Sequence, residues 1–261
     1  RGRPHRLRRA VVTRRAIGDR AEDSGFLQWR RRAGWPILAA TAGAFRSDPT
    51  VIRPCDGSQP VKLFYSLSSP YVRKVMVIAL ETGQASDIEK LPSAASPVAR
   101  DATIVAVNPL GKVPTLILDD GSALYDSRAI AMYLDARHDG APLYPADGPE
   151  RWTVMRWEAL ADGLLDAALL LRYETFMRPE EKRWPEWIAG QTEKIASALD
   201  VMEAEIGGRG EIDAGLIAAA CALGYLDLRF ADLGWRDGHP ALAAWFAGFA
   251  ERPSMVATKP E

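Results

Sequence analysis

Asn108-Pro109-Leu110-Gly111-Lys112-Val113-Pro114 runs directly into Thr115-Leu116-Ile117-Leu118, and the reading of this stretch decides the fold. Two prolines and a glycine interrupt any regular element across 108–114. The four residues after them are apolar or β-branched and read as a short buried strand. Asp119-Asp120-Gly121 is then a hairpin turn signal, with Ala123-Leu124-Tyr125 as the partner strand. A helix follows, capped by Asp126 or Ser127, with Ile130, Ala131, Tyr133 and Leu134 sharing one face.

Working upstream, Val61-Lys62-Leu63-Phe64-Tyr65 is a strand candidate that ends in Ser66-Leu67-Ser68-Ser69-Pro70. Ser68 or Ser69 can cap the next helix and Pro70 suits its first position. Val72, Val75, Met76, Ala79 and Leu80 recur at helical spacing until Gly83 stops them. Residues 87–91 read as a weaker strand and 97–107 as a weaker helix. The order strand, helix, strand, helix, strand, strand, helix predicts a mixed four-stranded sheet faced by helices, an α/β unit over 61–142.

Downstream the strand signal disappears. A long helical pattern opens at Pro149-Glu150, carries Trp152, Met155, Ala159, Leu160, Leu164 and Ala167, and is expected to break at Pro179. A second runs from Pro185 through Ile188, Ile195, Leu199, Met202 and Ile206 to Gly207-Gly208. Asp213 caps residues 214–226, which are apolar all round and so predict a core helix. That run is too short for a bilayer, which needs about 20 residues. Pro240 opens a last helix. Residues 147–261 therefore read as an all-α unit.

Length and composition agree with one to two domains: 261 residues, 48% apolar, 33 basic and 34 acidic side chains. The balance hides a split. Residues 1–60 hold 13 Arg, no Lys and 5 acids, whereas 61–261 are net −9. The Arg-rich leader is expected to be disordered or non-native, with a GTG codon at Val61 as the initiator. An organelle transit peptide and a nucleic-acid-binding arm are the competing readings. Two cysteines, Cys55 and Cys221, exclude a Cys-rich zinc site or disulfide scaffold. His5, His138 and His239 have no metal-ligand spacing, so no metal is expected, and no G-x-G-x-x-G or P-loop pattern occurs.

Three motifs in order carry a family resemblance: Ser68-Ser69-Pro70-Tyr71-Val72-Arg73 after the first strand, Asn108-Pro109-x-Gly111-Lys112-Val113-Pro114 before the third, and Asp126-Ser127-x-x-Ile130 at the third helix. The first unit resembles the thioredoxin-like N-terminal domain of the cytosolic glutathione transferases, and the helical unit their C-terminal domain. The family usually places an acid three residues after the cap of its buried helix; here that position is Leu216.

The resemblance implies glutathione as co-substrate and a small hydrophobic electrophile as acceptor. It also implies a cytoplasmic homodimer acting in detoxification, with no nucleic acid or membrane partner. A thiol with an ordinary pKa of about 8.5 is a poor nucleophile at pH 7. A hydroxyl at a helix N-terminus can hydrogen-bond its sulfur and favour the thiolate. Ser68 and Ser69 both fit that catalytic role, Pro70 belongs to the same turn, and Tyr65 and Tyr71 fit it less well. By resemblance, Val113-Pro114 is a cis bond that presents the Val113 backbone to the ligand, and Lys112 pairs with the glycyl carboxylate. Ser127 takes the γ-glutamyl carboxylate and Asp126 its ammonium group, with a shorter reach than the more usual Glu. Tyr173, Phe176 and Met177 are acceptor-site candidates. Arg73 reads as helix surface or a structural ion pair. Two rivals stand beside the transferase: a non-enzymatic binding or regulatory member, and a glutathione-dependent reductase or peroxidase, which usually has a cysteine at the first turn.

Overall fold

Strand β1 (Val61–Tyr65) buries Val61, Leu63 and Phe64, a near-continuous apolar run of the kind a strand covered on both faces needs. In the computed structural model, which describes residues 60–260, β1 is the centre of a four-stranded sheet of order β2-β1-β3-β4. The leader reading, with Cys55 and His5, lies outside the described residues. β2 (Ile88–Pro92) pairs parallel with β1, Leu63 opposite Lys90. β3 (Thr115–Ile117) pairs antiparallel with β1, Leu63 opposite Leu116, and β4 (Ala123–Leu124) closes the hairpin. The expected thioredoxin-like mixed sheet is observed.

α1 (Pro70–Glu81) crosses from β1 towards β2, and Gly83 in the left-handed region (φ 71°) ends it. The connection before β3 holds only a short helix, α2 (Ala102–Val105). The expected start at 97 is shifted because Asp101 takes the cap: its Oδ1 accepts from the Thr103 N–H at 2.9 Å and its Oδ2 from the Ala94 N–H at 2.8 Å. α3 (Ser127–Asp135) then packs on α1.

The helical part comprises α4 (Gly148–Arg172), α5 (Pro185–Ile206), α6 (Ala214–Arg229), α7 (Pro240–Ala250) and α8 (Pro253–Ala257). α4 passes directly into a π-helical turn over Tyr173–Met177, so the helical run breaks at Pro179 as expected. Arg178, next to the proline, is already extended (φ −78°, ψ 133°). α6 is the core, with every residue from Ala214 to Leu223 buried. It lies against α4 and α1. At Gly215 the helices approach so closely that a Cβ would stand 2.7 Å from Trp157 Cβ and 2.8 Å from the Val154 carbonyl. Asp213 caps α6, accepting from the Leu216 N–H at 2.8 Å. Leu216 itself is 1% exposed, which explains why the usual acid is missing there: the side chain serves the core, and Arg209 pairs with Asp213 instead.

No single helix among the described residues is long and apolar enough to cross a membrane.

Candidate functional site

The turn between β1 and α1 meets α6 across a narrow crevice. Ser68, Ser69, Pro70 and Arg73 line one side, Cys221, Tyr225 and Leu228 the other, and Pro260 closes an end. The two serines are not equivalent. Ser69 is the N-cap of α1, with backbone at φ −82°, ψ 119°, and its Oγ accepts from the Val72 N–H at 3.3 Å. Among the described residues its own proton has no acceptor. Ser68 lies in the preceding turn and is exposed.

Tyr71 is not free for thiol chemistry, and Tyr65 is not among the residues that line the crevice. Tyr71 donates its hydroxyl proton to Asp166 of α4. Burial, reinforced by that carboxylate, pushes the phenol far above its ordinary value. Tyr65 sits at the end of β1 beneath Lys90, whose Nζ is 4.8 Å from the ring centroid.

Arg73 is neither surface nor ion pair, contrary to both sequence readings. Its guanidinium is buried and bonds two neutral oxygens, the Met255 carbonyl at 3.0 Å and Thr258 Oγ1 at 3.4 Å. It thereby ties α1 to the C-terminal turn. Its charge also bears on the Cys221 thiol, but burial dominates there and pushes that thiol up to about 11, so Cys221 is a core residue.

The 108–114 loop is organised by Asn108, which is 1% exposed. Its Nδ2 donates to Thr115 Oγ1 at 2.8 Å and to the Lys112 carbonyl at 3.3 Å, and its Oδ1 accepts from the Leu110 N–H at 3.0 Å. Gly111 takes a positive φ of 62°, and the Val113–Pro114 peptide bond is cis. The Val113 backbone takes no part in Asn108's bonds, and the Lys112 side chain is exposed.

Asp126 is the N-cap of α3, its Oδ1 accepting from the Arg128 N–H at 3.0 Å, while Ser127 is buried at the first helical position. Arg128 donates from Nε to Asp162 of α4 at 2.7 Å. Asp162 and Glu158 also take the ammonium of Lys74, buried on α1. This ion cluster links three helices beneath the first turn. No local motif announces it, because the partners stand 84 and 88 residues from Lys74 in sequence.

The acceptor candidates separate. Tyr173 is partly buried beside Tyr225, which burial raises above its ordinary value. Phe176 is 71% exposed under the Arg172 guanidinium at 4.5 Å, and Met177 is exposed at the end of the π turn. Tyr225 was hidden from sequence reasoning by its position within the apolar run of α6. Among the described residues no group of three His, Cys, Asp or Glu side chains can hold a metal ion.

Two family models match the chain: glutathione S-transferase, N-terminal domain, over residues 68–137, and glutathione S-transferase, C-terminal domain, over residues 185–248. The uncharacterized GST-like protein YibF of Escherichia coli (strain K12) is 36% identical over 205 residues, covering 77% of this chain and 98% of that protein. The crystal structure of a glutathione transferase family member from Pseudomonas fluorescens Pf-5 with bound glutathione is 51% identical, with a TM-score of 0.75, and covers 77% of this chain and 99% of that one. A structure of a family member from the same organism holds S-(propanoic acid)-glutathione; it is 50% identical, with a TM-score of 0.72 and the same coverage.

Proposed function

The chain belongs to the glutathione S-transferase family, and on that premise we propose that it is a transferase that binds glutathione at the first turn of α1. There it stabilises the thiolate and directs the sulfur to a small hydrophobic electrophile. The two-domain division at 61–142 and 147–261, a homodimeric assembly and a cytoplasmic location belong to the same reading.

The observation that carries it is the position of Ser69. Its hydroxyl is fixed at a helix N-terminus, inside the crevice, with the proton unused. Accepting from Val72 N–H polarises the O–H and makes it the better donor to a sulfur anion. Lowering a thiol by two pKa units requires about 2.7 kcal/mol. A hydrogen bond to a charged group contributes about 1.5–3 kcal/mol, and the helix terminus adds up to about 1 kcal/mol. Ser69 is therefore assigned the catalytic role, with Ser68 beside it in the turn and Pro70 starting the helix.

The rest of the tripeptide is distributed over the loops around that turn. The Val113 backbone, next to the cis bond to Pro114, pairs with the cysteinyl backbone in this reading. Lys112 meets the glycyl carboxylate, and the α3 N-terminus at Ser127 receives the γ-glutamyl carboxylate while Asp126 takes its ammonium. The glutathione held by the Pseudomonas relative supports this placement, and its propanoic acid thioether supports a site that also accommodates a conjugated sulfur. The acceptor then lies towards Tyr173, with Phe176 and Met177 at the rim.

Retention on immobilised glutathione, followed by turnover of 1-chloro-2,4-dinitrobenzene, tests the reading. Ser69→Ala is expected to lower kcat/KM about 30- to 100-fold while glutathione still binds. Full activity in both Ser69→Ala and Ser68→Ala would remove the chemical assignment. Binding without any turnover would leave a non-enzymatic glutathione-binding module.

A further inference from the structure

Arg73 is a cation in the wall of the crevice that no carboxylate neutralises. It stands one helical turn after Ser69 on α1, its backbone N–H bonded to the Ser69 carbonyl at 2.9 Å, and both residues line the crevice. The side chain is 9% exposed. Its guanidinium is seated against Gly224 of α6, where an added Cβ would overlap Nη1. Its two bonds go to neutral oxygens, Met255 carbonyl at 3.0 Å and Thr258 Oγ1 at 3.4 Å. Among the described residues no carboxylate, Asp232 and Glu251 included, lies within ion-pair distance of it. Lys74, the next residue, is the opposite case, held by Glu158 and Asp162.

We propose that Arg73 supplies a positive field for the thiolate: its uncompensated charge favours the anionic form of a glutathione sulfur bound at Ser69, and that sulfur is the counter-ion. Hydrogen bonds to neutral oxygens satisfy a guanidinium's N–H groups without cancelling its charge, and a buried charge without an opposite partner is costly. Guanidinium also keeps its proton where ammonium or imidazole would release it. The other charges around the turn are engaged or distant. On α4, Glu158 and Asp162 serve Lys74 and Arg128, and Asp166 serves Tyr71. On α1 itself Glu81 is held by Arg252, and on α3 Asp135 takes His138 and the 143–144 backbone. α6 presents Cys221, Tyr225 and Leu228 to the crevice, none of them charged; Arg172 and Arg229, whose charges reach the Tyr225 hydroxyl, do not line it. Lys112 and Lys259 are exposed. Cys221 supports the direction of the effect: burial dominates its thiol and raises it, while Arg73 opposes the rise; Lys74 acts in the same sense but is countered by Asp162.

The inference rests on glutathione placing its sulfur at Ser69, so the wild type is measured first. The readouts are the thiol pKa of bound glutathione, from the ultraviolet absorbance of the thiolate, and the acid limb of kcat/KM for 1-chloro-2,4-dinitrobenzene at saturating glutathione. Both are expected below the thiol pKa of free glutathione. In Arg73→Gln both should rise by about one unit, tenfold less thiolate at any pH below the limb. Arg73→Lys keeps the charge and should move them by less than half as much. Thr258→Val removes one bond to the guanidinium and no charge; it tests the purely structural role and should leave the limb in place. Ser69→Ala leaves Arg73 untouched, so its bound thiol should stay about one unit below the free value, a result that stands even if Arg73→Gln does not fold. An unmoved thiol in Arg73→Gln, equal shifts in the Gln and Lys variants, a Thr258→Val shift as large as that of Arg73→Gln, or a return to the free value in Ser69→Ala would each overturn the role of Arg73 alone. A wild type that does not bind glutathione, or binds it with the thiol pKa of the free tripeptide, would overturn that role together with the function it rests on.

Discussion

Lys74 of α1 holds its ammonium 2.9 Å from both carboxylate oxygens of Asp162 on α4, and 2.9 Å from Glu158 one turn earlier on the same helix. All three side chains are almost fully withdrawn from water. Such a set adds little relative to apolar residues of the same volume, but removal of one member strands the others. In Lys74→Met two buried carboxylates are left facing one another with Arg128 as their remaining cation. Equilibrium urea unfolding at pH 7 should register a loss of about 3–5 kcal/mol. A loss below about 1 kcal/mol would mean that the cluster does not bridge the helices in solution.

Gly215 and Gly248 should respond oppositely to the same change. A Cβ at Gly215 would meet Trp157 Cβ at 2.7 Å and the Val154 carbonyl at 2.8 Å. Neither can swing aside, so α4 and α6 must separate. Gly215→Ala should cost about 1–3 kcal/mol in thermal or urea unfolding. Gly248 lies exposed in α7 with nothing within 4 Å of an added Cβ. Gly248→Ala should be stabilising by about 0.5–1 kcal/mol through helix propensity alone.

Acid sensitivity should concentrate at the seam between α1 and the C-terminal turn. Arg252 donates to Glu81 from Nε at 3.0 Å and from its terminal nitrogen at 2.8 Å. These bonds, with a further one from Ser254, hold the Glu81 carboxyl below its ordinary value. A depressed carboxylate contributes stability that is present above its unfolded pKa of about 4.5, and this is lost as pH falls through the lower folded value. Glu81→Gln should therefore unfold earlier than wild type at pH 7, and the gap between their urea midpoints should close as pH falls below 4. A gap that stays constant from pH 7 to pH 3 would show that the pair does not contribute through ionisation.

How much of this was readable in advance follows from the range of each interaction. The β3–β4 hairpin, the Pro70 and Pro240 helix starts and the buried α6 all rest on neighbours a few residues apart, so pattern and propensity reveal them. The cap of α1 was narrowed to Ser68 or Ser69, and only the backbone geometry selects Ser69. Arg73 and Lys74 were opaque. They sit on an apolar helix beside one another, yet one reaches Met255 and the other Glu158 and Asp162. Tyr225 joins the serine turn only because α6 packs across it from a distant stretch of the chain. The break before Pro179 is local, since a proline drives the preceding residue, here Arg178, into extended backbone, whereas the π turn over Tyr173–Met177 has no signal in the sequence.

Arg128 offers the sharpest check on the binding half of the proposed function. It follows the Asp126-Ser127 pair at the α3 N-terminus, its backbone N–H fixing Asp126 at 3.0 Å and its Nε held by Asp162 at 2.7 Å. Its guanidinium is partly solvent-exposed, and its pKa is raised by Asp162 against the opposing effect of burial. It therefore stays cationic at any working pH and adds to the positive end of α3 where a ligand carboxylate is proposed to sit. The thiol site at Ser69 is on another helix. Arg128→Gln, which keeps the backbone bond to Asp126, is thus expected to raise KM for glutathione about two- to fivefold, the contribution of one exposed charge interaction, with kcat within about threefold of wild type. Asp162→Asn, which loosens Arg128 from below, should move KM in the same direction and also reduce stability. If Arg128→Gln instead lowers kcat with KM unchanged, the cation acts on the reacting sulfur and not on the γ-glutamyl end, and the placement of the γ-glutamyl carboxylate at the α3 N-terminus must be abandoned.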